Sequence, residues 1–458
     1  MNKEDGMKGL SAIFSILSFI LIQGIFIISL QSHAKGFDLS LSQAVARAAA
    51  HNPGIKAVEF QAVSAEEKIL QAKSGFIPQI QLAGEYSHTN NPMWAFGTRL
   101  NQESIAQADF DPDRLNNPDS INNFISSISF SWPLYDQGQT LYSWKQAKLN
   151  HEAVMLLADR TRQQVTARTI TAYFGALLAR KNLEVAKQTL NTARTHLKMV
   201  ESRYRGGFVV KSDLLRAQVH IAELEQQLAE ALSQVDISEC MLNVSMGIPE
   251  NMHYVLTTPL EKGQPLKGSM DSWISQALSE RPDLKHMKYQ KTIAEKEIAK
   301  SRAARHPSFT LAGRYELNSE DMQEQASNYT IGAMVSFNLF SGGRISAKIR
   351  DAGAALKQVD AMIQAMEQQI CGETRHAFFN AQSAWKRIQV AGAAVSQADE
   401  SLRIVQNRYN SGLFTITDLL DAETALQQSR TNHLKAVHDF KTAETRLALA
   451  AGRIDDSR

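Results

Sequence analysis

The chain makes the same turn twice. Tyr204-Arg205-Gly206-Gly207-Phe208-Val209-Val210-Lys211-Ser212-Asp213-Leu214-Leu215 returns as Tyr409-Asn410-Ser411-Gly412-Leu413-Phe414-Thr415-Ile416-Thr417-Asp418-Leu419-Leu420, with Tyr204, Gly207 and Asp213 each recurring 205 residues later. Each copy separates two stretches of helical periodicity, so each reads as the tip of a helical hairpin. Repetition on this scale governs the fold before any local signal does. Further upstream Pro53, Pro78, Leu82, Ala83, Gly84 and Tyr86 recur as Pro282, Pro307, Leu311, Ala312, Gly313 and Tyr315 at an offset of 229, whereas Leu134 and Gly138 recur as Leu339 and Gly343 at 205. The offsets differ by 24 residues, all of them between two paired strands. Helix lengths are held constant, and one loop is free to vary.

The helical stretches carry a seven-residue repeat. Val165, Ala172, Ala179, Ala186, Ala193 and Val200 form one row, and Ala176, Leu183, Leu190, Leu197 and Tyr204 a second. Ala377, Ala384, Ala391, Ala398 and Val405 repeat the first row, with Ala381, Ile388, Val395, Leu402 and Tyr409 beside them. Heptads sustained over this length predict coiled-coil packing, and the alanine row lets helices approach closely. Long helices are expected over 140–205 and 344–410, with helices of about half that length over 212–246 and 417–451. At 1.5 Å per residue the long ones reach on the order of 100 Å.

Between the helices, short runs alternate polar and apolar residues: 79–88 and 124–135 in the first repeat, 308–318 and 328–340 in the second. Ile128, Phe130, Trp132 and Leu134 share one face, the pattern of a strand with two unlike sides. Asn90 to Asn123 reads as a Pro-, Asn- and Asp-rich loop. Runs of about ten residues are long enough to cross a bilayer when tilted. Four strands are too few for a membrane barrel, and open edges do not face lipid. Strands in a membrane therefore require several chains to share one barrel.

The N-terminus carries Lys3 and Lys8, an apolar run from about Leu10 to Leu30, and Ser32-His33-Ala34. This predicts a secretory signal peptide over residues 1–34, with an uncleaved membrane anchor as the alternative. The organisation expected after it is a first repeat over 35–247, an equatorial segment over 248–272 and a second repeat over 273–458. Cys240 and Cys371 fall in different repeats, so no disulfide framework is expected. A net charge of +2 with no basic block gives a nucleic-acid partner no support. No nucleophile elbow, phosphate loop or zinc spacing occurs, so neither an enzyme nor a cofactor is expected.

In the order and spacing of the Tyr-x-x-Gly…Asp-Leu-Leu tips, Pro133-Leu134-Tyr135-Asp136-Gln137-Gly138, Asn338-Leu339-Phe340-Ser341-Gly342-Gly343 and Arg281-Pro282-Asp283-Leu284, essentially the whole mature chain resembles the TolC-type outer membrane efflux proteins. The resemblance implies an α+β membrane protein: a homotrimer sharing one twelve-stranded β-barrel in outer-membrane lipid, continued by a periplasmic coiled-coil α-helical barrel. It further implies a passive exit duct whose hairpin tips meet a periplasmic adaptor and an inner-membrane transporter. A duct for protein secretion is the alternative within that class, and a secreted coiled-coil stalk the alternative outside it; the recurring strands disfavour the stalk.

By the same resemblance Asp418 and Asp421 match positions where family members carry acidic rings at the periplasmic entrance. Converging carboxylates would favour cations. Helix capping is the competing account, since Asp213 and Asp418 follow Ser212 and Thr417 at expected helix starts. Gly207 and Gly412 are expected to end the long helices in the left-handed region. Some family members latch the closed tip with an Arg at the position of Phe414. Phe208 and Phe414 are read here as the two equivalent positions, so that latch is lost. By the resemblance Tyr409 matches a tyrosine that takes part in the same closure, but Tyr204 and Tyr409 are also heptad positions and are expected to pack in the core.

Overall fold

The computed structural model describes residues 37–249 and 252–454, and the expected signal peptide lies outside them. In chain order the elements are β1 (Phe37–Leu39), α1 (Leu41–His51), α2 (Pro53–Lys73), β2 (Gln79–Thr89), the short α3 (Pro92–Asn101) and α4 (Pro112–Asn116), β3 (Ile121–Tyr135), α5 (Gln139–Arg205), α6 (Lys211–Met246), β4 (Tyr254–Leu256), α7 (Met270–Glu280), α8 (Pro282–Ala303), β5 (Ser308–Ser319), β6 (Ala326–Ser336), α9 (Arg344–Asn410) and α10 (Ile416–Ala450).

The duplication is kept to the residue. Helices α5 and α9 are each 67 residues long and start and stop 205 positions apart. Both begin where a glycine with positive φ, Gly138 or Gly343, turns the chain out of the sheet region. Pro53 and Pro282 sit at the first turn of α2 and α8, where a missing N–H costs nothing.

Two details depart from expectation. The long loop after β2 is not featureless, because Asn91 and Asp111 cap two short helices within it. Strand β6 ends at Ser336 and not near 340, because its partner β5 begins at Ser308, directly opposite. A strand without a neighbour has nothing to bond its backbone groups.

Helix α5 is the spine. One side packs α2 along the strand half and α6 along the tip half, while the other packs α8 and then α10. Helix α9 closes this layer against α8 and α10. The expected alanine rows lie in the seams: Ala176, Ala179, Ala186, Ala193, Ala377, Ala381 and Ala384 are all buried.

The half-length helices meet at mid-height, where each repeat makes the same junction. In the first, Asn52 donates from its side chain to the Ser245 carbonyl at 2.9 Å, beside Gly247 (φ 71°) at the end of α6. In the second, Arg281 reaches the Ala450 carbonyl at 3.5 Å, beside Gly452 (φ 73°) at the end of α10. A short parallel pairing of β1 with β4 ties the equatorial segment to the start of the first repeat. Tyr173 of α5 stands behind it, fully buried, donating to the Leu39 carbonyl at 2.9 Å and accepting from the Thr258 N–H at 3.0 Å.

Arg281, itself buried, also anchors a charge network. It forks onto Asp283 (2.6 and 3.0 Å) and bonds Glu373 at 2.7 Å, while Arg160 lies 3.3 Å from Asp283. Burial alone would push the Asp283 carboxyl up, but the Arg281 hydrogen bonds and the Arg160 charge carry it below its ordinary value. A carboxyl depressed in this way stabilises the fold above its unfolded pKa, and that contribution disappears as pH falls through the depressed value.

Strands β2-β3-β5-β6 form one antiparallel sheet with an apolar face. Ile80, Leu82 and Tyr86 pair across to Phe130, Ile128 and Phe124; Trp132, Ile128 and Phe130 then pair to Leu311, Tyr315 and Gly313. Ile80 and Leu82 are 74% and 76% exposed. The opposite face carries Gln79, Gln81, Ser127, Ser129, Ser131, Thr310 and Arg314. No described helix is long and apolar enough to cross a membrane.

Replacing Arg281 with Ala takes from Asp283 and Glu373 the partner they share and leaves Asp283 only Arg160 as a charged partner, at an expected cost of about 1.5–3 kcal/mol at neutral pH. Urea unfolding in detergent followed by circular dichroism should show that loss. The gap between parent and R281A should narrow as pH falls through the depressed value of Asp283, below which that carboxyl is protonated in both.

Candidate functional site at the hairpin tips

Each long helix ends in the same way. The Phe208 N–H returns to the Arg203 carbonyl at 2.9 Å and the Gly207 N–H to Tyr204 at 3.0 Å; Leu413 and Gly412 repeat both bonds onto Arg408 and Tyr409 at the same lengths. This termination requires a left-handed residue, and Gly207 and Gly412 supply it, each with φ 75°. The shared bonds make Leu413 the counterpart of Phe208 and Phe414 the counterpart of Val209. The expected equivalence of Phe208 with Phe414 is therefore one residue out of register. Phe208 and Leu413 project into solvent at 84% and 73% exposure, whereas Val209 and Phe414 pack on the tip core.

The helix starts differ. Thr415, and not Thr417, caps α10: its backbone N–H donates to the Asp418 carboxylate at 2.8 Å, its hydroxyl donates to the same oxygen at 2.6 Å, and the Asp418 N–H donates back to the hydroxyl at 3.3 Å. The Thr415 hydroxyl and N–H hold the exposed Asp418 carboxyl below its ordinary value. The first tip has Val210 at the matching place, which offers no side-chain cap. Capping thus accounts for Asp418 but not for Asp213 or Asp421. Asp421 lies exposed one turn into α10, with no hydrogen bond or ion pair among the described residues.

The two tips are tied by residues of the first repeat. Arg203, on the last turn of α5, donates to the Tyr409 and Asn410 carbonyls at 3.1 and 3.0 Å, and its guanidinium stacks 4.7 Å from the Tyr409 ring. Those carbonyls are the negative end of α9, so a cation there complements the helix dipole. Arg216 of α6 donates to the Thr417 hydroxyl at 2.6 Å. The repeat counterpart of Arg203, Arg408, stays at home over Phe414 at 5.4 Å. Tyr409 is 3% exposed in a core with Val200, Ala217, Ile416, Leu419 and Leu420, and burial raises its phenol. Tyr204 is 38% exposed, so only one tyrosine takes the expected core position.

Above the tip, the His196 imidazole of α5 lies against the Glu423 carboxylate of α10, the two residues 5% and 4% exposed, with Gln406 of α9 at 3.4 Å from the imidazole. Neither this contact nor the Arg203 clasp is among the features expected from the sequence. Glu423 was findable, because it stands seven residues after Ile416, in the core row of α10. Arg203 was not, because its partners are backbone carbonyls on a distant helix. Among the described residues no cluster of three or more His, Cys, Asp or Glu could hold a metal.

A long-helix chain with a two-faced sheet at one end and converging hairpin tips at the other is the subunit architecture of an outer-membrane channel. The outer membrane efflux protein family model matches residues 44–247 and 273–453, and the chain belongs to that family, whose place is the outer membrane. The alkaline protease secretion protein AprF of Pseudomonas aeruginosa is 24% identical over 445 residues, covering 95% of this chain and 88% of the relative. The outer membrane protein TolC of Vibrio cholerae is 22% identical, with 91% of each chain covered. The crystal structure of the Campylobacter jejuni CmeC outer membrane channel superposes with a TM-score of 0.75 at 18% identity, covering 91% of this chain and 87% of that one.

Substituting Arg203 with Ala removes two charge-assisted hydrogen bonds and a stacked cation, worth about 1.5–3 kcal/mol. Hydrogen exchange of the amides in residues 406–413 should quicken, with Arg203→Lys, which lacks the planar fork, falling between. Separately, Thr415→Val should return the Asp418 carboxyl toward its ordinary value in a carbon-detected NMR titration.

Proposed function

We propose that three copies of this chain share a twelve-stranded barrel in the outer membrane and form a passive exit duct. A periplasmic adaptor and an inner-membrane transporter engage it at the hairpin tips. The observation that carries this reading is the sheet: β2 and β6 are its two edges, its apolar face is bare, and its strands run directly into helices of 67 residues. Unpaired edges are not tolerated in hydrocarbon, so closure with further copies is the physical solution. Four strands per chain reach twelve with three chains. The apolar face would meet lipid and the polar face the lumen.

At the other end Asp418 and Asp421 are the proposed constriction. Both carboxylates are exposed on one turn of α10. Three-fold symmetry would gather six of them around the axis and favour cations. The duct itself holds no energy source, so cargo choice rests with its transporter. Small-molecule efflux is the first reading. A secreted protein as cargo is the second, favoured by two relatives named for protease secretion, AprF and PrtF.

Single-channel recording in planar bilayers tests the duct. The parent should give cation-selective pores, and the double variant Asp418→Ala, Asp421→Ala should lose much of that selectivity. Unchanged selectivity would return both residues to helix-end roles, and a parent that forms no pores would remove the duct itself.

A further inference from the structure

The 24-residue excess of the first strand-to-strand loop folds onto the sheet, and onto one side of it. At the loop end of the strands Ile121 and Asn123 of β3, Asn318 of β5 and Ala326 of β6 are 3%, 4%, 1% and 8% exposed. The register places all four on the polar face, with Ile125 opposite Asn318 and Asn318 opposite Ala326. What covers them is α3 and the turns that follow it. Helix α3 packs on β3 and on β6, two strands further across. Its ten residues span about 15 Å, enough to cross the roughly 10 Å between those strands.

The segment is well tied. Gln102 donates to the Asn122 carbonyl at 2.8 Å and to the Asn123 side chain at 3.0 Å, and Asn123 donates on to Asn318 at 2.9 Å. Arg99 pairs with Asp109 at 3.5 Å, and Phe96 meets Phe110 edge-on at 5.8 Å. Ala95 is fully buried and marks the side of α3 that faces the sheet. Met93, two residues earlier, is about 200° around the helix from it. Met93 and Trp94 are 72% and 63% exposed.

From this placement, and resting on the duct reading, we propose that residues 90–120 form a built-in restrictor at the exit of the channel. Helix α3 lies across the luminal face of the strands' outer ends and holds Met93 and Trp94 toward the axis. Three copies make an apolar collar. A collar of this kind sheds water and resists hydrated solutes, while apolar or slender cargo passes it at little cost. Duct width at the membrane end is thus set by one loop of one repeat; the matching loop of the second repeat spans only 320–325 between its strands.

Two variants of the full chain test the collar in planar bilayers. One replaces residues 90–120 with the segment 320–325, and the other carries Met93→Ser and Trp94→Ser. The loop replacement should raise single-channel conductance about twofold or more, and the double substitution should raise it in the same direction. In a third variant, Met93→Cys, a cationic methanethiosulfonate reagent added on the loop side should reduce the current. If conductance in the first two equals that of the parent and the reagent has no effect, the collar is overturned while the duct stands. A parent that gives no pores overturns the duct reading beneath it. Should the loop replacement fail to assemble, the two point-substituted chains decide the matter.

Discussion

Two rows of backbone N–H and C=O groups, on the outer edges of β2 and β6, set the terms for everything else in this molecule. Water would satisfy them, but the bare apolar face beside them belongs in lipid, where an unpaired amide costs several kcal/mol. The sheet is therefore one part of an arrangement that only other copies complete. That demand travels down the chain: strands tilted around a shared barrel must feed helices that also lie side by side around a shared axis. The alanine rows of α5 and α9 let neighbouring helices approach closely along the tip-side part of each.

The same economy appears at mid-height. Each repeat ends its tip-half helix at a left-handed glycine, and each presses that glycine against the residue preceding a helix-starting proline. The first repeat uses Asn52 there, a neutral side chain with one carbonyl to satisfy. The second uses Arg281 and gathers Asp283, Glu373 and Arg160 around it. Duplication preserved the geometry and let the chemistry diverge. The tips diverge in the same way: one helix start is closed by Thr415 and Asp418, the other has Val210, and the arginine that binds the two hairpins comes from the first.

Most of the architecture was legible because it is written in periods and offsets. A heptad and a two-residue alternation report directly on which faces are buried, and the 205-residue offset predicted α9 from α5 to within a residue. Position along a helix end was less legible. Thr417 looked like a cap, but Thr415 is one, because the helix starts a residue earlier than the polar pattern suggests. The register of Phe208 and Phe414 failed for a similar reason: similar side chains drew the eye, while the glycine-centred bonds define equivalence. Contacts between distant backbones and side chains, such as Arg203 on the α9 terminus, leave no trace in local pattern. Helix α3 was hidden inside a stretch whose composition reads as loop, although its Asn91-Pro92 start is a helix signal in its own right.

The equal lengths of α5 and α9 also limit how such a chain can change. One residue inserted into either helix would turn every later side chain by about 100° and put the seam rows out of phase with their neighbours. Only whole heptads preserve the seams, and the tips stay level only if α5, α6, α9 and α10 all gain them together. The duct can then grow or shrink in steps of about 10 Å, and a relative fitted to a wider periplasm should differ from this chain by multiples of seven residues in four places at once.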